Sequence, residues 1–439
     1  MKPTSRKSSI ESPCSEQLPH FQNVGGLDQR LAFLSVIACW LFVSTLPGCS
    51  SEPLLGIVKP SQLKTNTPTL KPYSISTLGL SSVSTFDVTV DNDIIHIIAG
   101  GKMSADDKQV KLHYTRSDDG GRHWNEPIAL GDHFPSTIAS RGNDIQLAAK
   151  DGHLLAIWQT KGELPGMGPM VSAYSDDNGT TWQQGINPAA NNTGDQSHLD
   201  LIADKKSQFH AVWLEDPEES GYQSLRYAKS SDGGKHWDKP TTLDNSTCSC
   251  CWNTFALSPE NELNILYRNM KPRDMSLLQS TNGGKTWRPA STVGEFHWQF
   301  DGCPHVGGNL TYAGKHRLHS LVWTGVEQSA GLYYLYSKDN GAHWSSPKKM
   351  GNTAIHSDIA ALDESHIAAI WDEMEAEGTS IFYAKSNDNG TSWLTPIRLT
   401  AASAAATHPR LIATKHGFLA LWTEKPGKQP SQLAWRILN

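Results

Sequence analysis

Short runs of alternating apolar and polar residues, most ending in an aromatic, recur along this chain at near-regular intervals. They are His153–Trp158 (HLLAIW), Phe209–Trp213 (FHAVW), Leu263–Tyr267 (LNILY), Leu318–Trp323 (LHSLVW), His366–Trp371 (HIAAIW) and Phe418–Trp422 (FLALW). Ile94–Ala99 (IIHIIA) fits the series with Ala99 in the aromatic's place. Period-two alternation predicts half-buried strands, so the series predicts seven equivalent strands. No long helical stretch follows residue 50. The last unit, His408 to Asn439, is predicted to hold strands at 410–414, 418–422 and 432–437, and it lacks a fourth.

A second pattern, Ser-x-Asp-x-Gly-x-x-Trp, follows the strands six times, starting at Ser117, Ser175, Ser230, Ser280, Ser337 and Ser386. The starts lie 58, 55, 50, 57 and 49 residues apart, a period that marks a repeat architecture. The chemistry is that of a tight hairpin turn. Asp119, Asp177, Asp232, Asp339 and Asp388 sit where a short carboxylate accepts hydrogen bonds from the turn's own backbone. Asn282 replaces Asp in the fourth copy, which keeps the acceptor oxygen and loses only the charge. These six positions read as turn structure rather than ligand contacts, and each Trp is expected to pack back over its turn and clip it to its blade.

The pattern is the Asp box, and the chain resembles the sialidase superfamily over residues 117 to 393. The resemblance implies an all-β fold, a β-propeller with a box between the third and fourth strands of most blades. It does not imply sialidase activity. Short extended segments follow the boxes, such as Pro127–Leu130 and Pro396–Leu399, and Pro72–Leu78 looks like an orphan copy of that element. Pairing this N-terminal strand with the incomplete last unit closes a ring and removes two exposed edges. Seven blades are therefore expected, with six, the sialidase norm, as the alternative.

Composition narrows the class. A net charge of −6 gives no electrostatic case for nucleic acid. Arg30 precedes an apolar run from Leu31 to Thr45, short for a membrane span and right for a signal peptide. The run ends in Leu46-Pro47-Gly48-Cys49, which resembles a bacterial lipobox. The expectation is a leader over 1–48, lipidation at Cys49, a tether over 49–71 and a propeller over 72–439, anchored by lipid at a bacterial cell envelope and facing the periplasm or exterior.

Export changes how the cysteines read. Cys14 and Cys39 leave with the leader and Cys49 takes the lipid, so Cys248, Cys250, Cys251 and Cys303 remain. They fall in Thr247-Cys-Ser-Cys-Cys-Trp252 and Asp301-Gly-Cys-Pro-His305, which precede the first strands of adjacent units. Together with Tyr267-Arg268 and Arg273-Asp274, the combination resembles a bacterial subgroup of sialidase-fold proteins. Three readings stand open: structural disulfides, a copper or zinc site built from thiolate and imidazole, and a reactive thiol.

Counted back from the second-strand aromatic, His198, His305, His356 and His408 occupy equivalent lead-in positions; Trp252, Asn143 and Ser84 hold that slot in other units. Asp200 and Asp358 each follow their His by two and share its face. Four His, up to four Cys and two Asp are thus expected at one channel mouth.

The resemblance implies, for a sialidase, an arginine triad, a Tyr–Glu pair, an acid/base Asp and a Phe/Tyr-Arg-Ile-Pro motif. No such motif occurs, and Ser84-Thr85-Phe86-Asp87, where it would fall, holds no Arg. Arg268, Arg273 and Arg410 are candidates to face the channel without forming an assignable triad. Asp200, Asp301 and Asp358 are the candidate carboxylates for another glycosidase chemistry. The sequence thus points to an anchored propeller binding a ligand, in its sharpest form a metal ion, at a Cys/His-rich mouth. The rival is an exo-acting glycosidase on glycans.

Overall fold

A computed structural model describes residues 72–138, 145–162, 168–216 and 223–439. Cys14, Cys39, Cys49 with its lipobox, the tether and Asn143 lie outside the described residues. The strands form seven four-stranded antiparallel sheets. Blades 1 to 6 span 82–129, 145–184, 197–247, 254–293, 308–351 and 354–398. Blade 7 takes three strands from 407–438 and its fourth from Ser74–Ser76, which pairs with Gln432–Leu438 through Ser74–Trp435, Ile75–Ala434 and Ser76–Leu433. The ring has seven blades and is closed by its N-terminal strand.

The apolar faces predicted by alternation are buried between blades. Each of the seven blade-to-blade boundaries holds one apolar cluster. The boundary of blades 7 and 1 joins Leu419, Leu421 and Leu433 to Val83, Phe86 and Val88. The second-strand aromatics Trp158, Trp213, Trp371 and Trp422 are almost wholly buried in these layers. Sheet-on-sheet burial of this kind is the dominant stabilising term, since a lone sheet leaves one apolar face wet.

All six boxes cap third-to-fourth-strand hairpins. In the first, Asp119 Oδ1 accepts from Ser117 Oγ and from the backbone N–H groups of Arg122 and His123, while Gly121 N–H donates to Ser117 Oγ. Asn282 Oδ1 accepts from Ser280 Oγ and Thr286 N in the same way. Trp182 donates Nε1–H to Gly179 O of its own turn at 3.1 Å, and the Trp residues also reach further than the sequence expectation. They pack on the preceding blade: Trp182 lies edge-on to Tyr114, Trp287 to Tyr227, Trp393 to Tyr334 and Trp124 to Trp435. The box thus rivets two blades together. Its glycines permit this, because a Cβ at Gly284 or Gly390, both at positive φ, would overlap the Tyr227 or Tyr334 phenol.

Those tyrosines have a second partner. Tyr114, Tyr227 and Tyr334 each meet a buried imidazole, His96, His210 and His319, with O–Nδ1 distances of 2.7 Å. Burial pushes His96 down to about 4. Its folded pKa is below the unfolded value, so its contribution is complete above the unfolded pKa and is lost as pH falls toward 4. The stability gap between the wild type and His96→Asn should therefore narrow by about 2 kcal/mol between pH 7 and pH 5, because only the wild type bears the cost of keeping a buried imidazole neutral. Urea melts of both chains across that range check this, and a pH-independent gap refutes it.

Candidate functional site

The first strands of the blades line a central cavity of about 250 Å³. At one register Asp87, Asp200, Asp358 and Arg410 face it. Arg410 is the one of the three sequence-proposed arginines that lines the channel, and it pairs with Asp87 at 2.8 Å and Asp358 at 3.7 Å. Each carboxylate also reaches into the next blade. Asp87 accepts from Leu147 N at 2.8 Å, Asp358 from Leu411 N at 2.9 Å, and Asp200 from Phe255 N. Burial raises Asp200 to about 7 and raises Asp87 and Asp358. These groups serve as staples between inner strands. Asp301 is exposed and does not line the cavity.

Equivalence of the histidines has a structural cause. His198, His356 and His408 sit in register shifts of their first strands, as does Ser84 in blade 1. A bulge sets two residues against one and turns the extra side chain out of the ladder. His198, His305 and His408 have φ of 54°, 53° and 50°. All four lead into first strands at the end of the ring opposite the boxes, yet they do not converge on one point. His198 packs edge-on to Trp252 at 5.1 Å. His356 and His408 stack at 3.7 Å, and Asp372 Oδ2 accepts from His356 Nδ1 at 2.7 Å, from Thr407 Oγ1 and from His408 N. His305 belongs to the cysteine cluster.

The cysteine cluster stands apart from the seven apolar layers. Cys248, Cys250 and Cys251 are buried side by side, at 1%, 4% and 1% exposure. Cys248 Sγ lies 3.2 Å from Cys251 Sγ and 3.6 Å from Cys250 Sγ. Cys250 Sγ, Cys303 Sγ and a His305 ring nitrogen lie within 4.8 Å of one another. All four cysteines are unbridged. S–H bonds from Cys250 and Cys251 hold the Cys248 thiol down, whereas donating to Cys248 drives Cys250 up and burial raises Cys251 to about 12. Cys303, exposed, is drawn to about 6 by its bond to Cys250, with help from Ser249 and Arg273.

Arg268 and Arg273 explain why this pocket holds its shape. They do not face the channel; both are buried in backbone. Arg268 donates to Val306 O at 3.0 Å, Arg273 O at 2.6 Å and Trp323 O at 2.9 Å. Arg273 donates to Phe300 O, and Asp274 accepts from His297 N and Trp298 N. All three grip the segment that carries Cys303 and His305. Tyr267 donates to Asp244 at 2.7 Å and is buried, which makes it a satisfied core residue.

Sequence reasoning missed Asp87, Asp372 and a recurrent clamp. Trp213, Trp371 and Trp422 each donate Nε1–H at 3.0 Å to a Glu two residues on, namely Glu215, Glu373 and Glu424. These glutamates hold the mouth-side loops; Glu373 accepts from Asn352 N and Thr353 N. The signal was present as a Trp-x-Glu at the end of three of the second strands.

Residues 88–293 match the family model described as a BNR repeat-like domain. No curated protein matches the chain. Among solved structures, an ulvan lyase, a polysaccharide lyase, aligns at 12% identity and a TM-score of 0.54 over 83% of this chain and 96% of its own. A protein of unknown function from Dyadobacter fermentans aligns at 14% identity and 0.45 over 81% and 95%. The NanB sialidase of Streptococcus pneumoniae aligns at 13% identity and 0.44 over 83% and 69%. With its six boxes, its ring of seven blades and the repeat match over residues 88–293, the chain has a seven-bladed β-propeller fold that carries a BNR repeat-like domain.

Proposed function

We propose that this chain is an exported, lipid-anchored propeller that binds a thiophilic metal ion, copper or zinc, at its mouth through Cys248, Cys250, Cys251, Cys303 and His305. One observation carries this reading: four sulfurs and an imidazole are gathered in two triads whose ligand atoms lie within 4.8 Å. Two donors on one ion at about 2.3 Å each are separated by no more than about twice that length, so either triad can close on an ion with small shifts. A second feature supports it. Arg273 Nη1 is buried with no hydrogen-bond partner among the described residues, and Arg273 lowers both Cys248 and Cys303. A cation so placed favours thiolates, the form a metal requires, over a neutral disulfide.

The metal reading is tested on protein purified without air and with a thiol reductant. At least one equivalent of copper(I) or zinc should bind tightly, and the variant with all four cysteines changed to Ser should bind none while its melting curve stays cooperative. A wild type that binds neither metal and holds two disulfides refutes it. The 3.2 Å contact of Cys248 with Cys251, which share Cys-x-x-Cys spacing, favours that bridge as the runner-up.

A glycan-acting role is weaker. The ulvan lyase relative is related by fold alone, and the channel carboxylates are engaged by Arg410 and by backbone N–H groups.

Location rests on the Leu46-Pro47-Gly48-Cys49 sequence. Expressed in a bacterium, the wild type should take up labelled fatty acid and fractionate with membranes, and Cys49→Ser should move most of it to the soluble fraction. Equal partitioning of both chains refutes the anchor.

A further inference from the structure

Cys250 belongs to both triads. The inner set is Cys248, Cys250 and Cys251, all buried; the outer set is Cys250, the exposed Cys303 and the half-buried His305. Resting on the metal-binding reading above, we infer that the pocket holds two copper(I) ions that share the Cys250 thiolate, an inner ion on three sulfurs and an outer ion on two sulfurs and one imidazole.

Three arguments lead there. The first is ligand number. Among the described residues no fourth Cys, His or carboxylate joins the inner triad. Structural zinc is almost always tetrahedral with four ligands. Three soft sulfurs in a dry pocket suit copper(I), which accepts trigonal coordination and prefers thiolate.

The second is geometry. The inner sulfurs are as close as 3.2 and 3.6 Å. Cys250 lies 3.6 Å from Cys248 and within 4.8 Å of Cys303 and His305. A single ion centred on the inner three leaves Cys303 and His305 idle, and one centred on the outer three leaves Cys248 and Cys251 idle. A bridging thiolate uses all five.

The third is charge. Four thiolates and two copper(I) ions carry a net −2. Arg268 and Arg273 are both buried and hold the segment that carries Cys303 and His305, donating to Val306 O and Phe300 O. Two buried guanidiniums bring the assembly to neutrality, which a low-dielectric site demands. Binding is an exchange without electron transfer: each ligating thiol gives up its proton as copper(I) takes the sulfur lone pair. The outer position, at the surface, is where copper enters and leaves; the inner position is the store.

Anaerobic titration of the full chain carrying Cys49→Ser, with copper(I) competed against a coloured copper(I) chelator, tests this. Two equivalents are expected, with a copper–copper shell in the X-ray absorption spectrum of the loaded protein. Cys303→Ser with His305→Ala should leave one equivalent and abolish that shell. Cys251→Ser should likewise lose one equivalent while the outer set keeps the other. A wild type that saturates at one equivalent of copper or zinc overturns the shared-thiolate arrangement and leaves the metal-binding reading standing. No metal of either kind overturns both. Circular-dichroism melts of each variant, read beside the titration, separate ligand loss from unfolding.

Discussion

Removing residues up to 77 should lower the melting temperature by about 5 °C or more and leave the protein prone to self-association. The deletion takes the fourth strand from blade 7 and leaves Gln432–Leu438 as an open edge. It also removes Tyr73, whose ring lies edge-on to Trp422 at 5.1 Å and whose hydroxyl donates to Glu424 at 3.4 Å. Glu424 is the acceptor of the buried Trp422 indole, so the loss reaches the mouth-side clamp of that blade. Unpaired edges recruit other strands, which is why closed rings avoid them. Leu78 and Leu80, retained in this variant, keep the first core layer intact and isolate the effect of the strand. Calorimetry with light scattering reads both consequences. A monomer that melts as the wild type does would show that closure rests on the blade 7–1 core alone.

The ring was legible because its signals repeat. Alternation gave the second strands, the boxes gave the hairpins after the third, and a missing partner in the last unit pointed to Ser74–Ser76. What escaped was what joins neighbours. Box tryptophans pack on the blade before their own, a relation between residues far apart in the chain, as Tyr114 is from Trp182 and Trp435 from Trp124, and no local period reports it. The histidines are equivalent by count, but bulges turn them out of register, so His356 and His408 stack on each other beside Asp372 while His305 joins the sulfurs. Arg268 and Arg273 were candidates to face the channel because the resemblance implies an arginine triad there. Here three carbonyls repay the burial of Arg268, a balance visible only once the chain is folded.

Arg268→Leu should be among the most damaging single substitutions in this chain. The side chain is 2% exposed, and its guanidinium satisfies Val306 O, Arg273 O and Trp323 O from two blades and a lead-in segment. Leu leaves two buried carbonyls and one part-buried carbonyl without their donor, at about 1–3 kcal/mol each, for a loss of about 3–9 kcal/mol. It also removes the cation stacked 5.4 Å over Trp298. Arg268→Lys should recover only part, because one ammonium cannot span three acceptors in the plane a guanidinium fits. Val306 follows His305 directly, so the substitution should loosen the outer sulfur–imidazole set and weaken copper(I) binding more than tenfold even at temperatures where the ring remains folded. Urea melts give the stability loss and chelator competition gives the affinity. If Arg268→Leu melts within about 1 kcal/mol of the wild type, the carbonyls find other donors and the clamp is not what holds the lead-in. If stability falls while copper affinity is unchanged, the pocket is held by Arg273 and Asp274 instead.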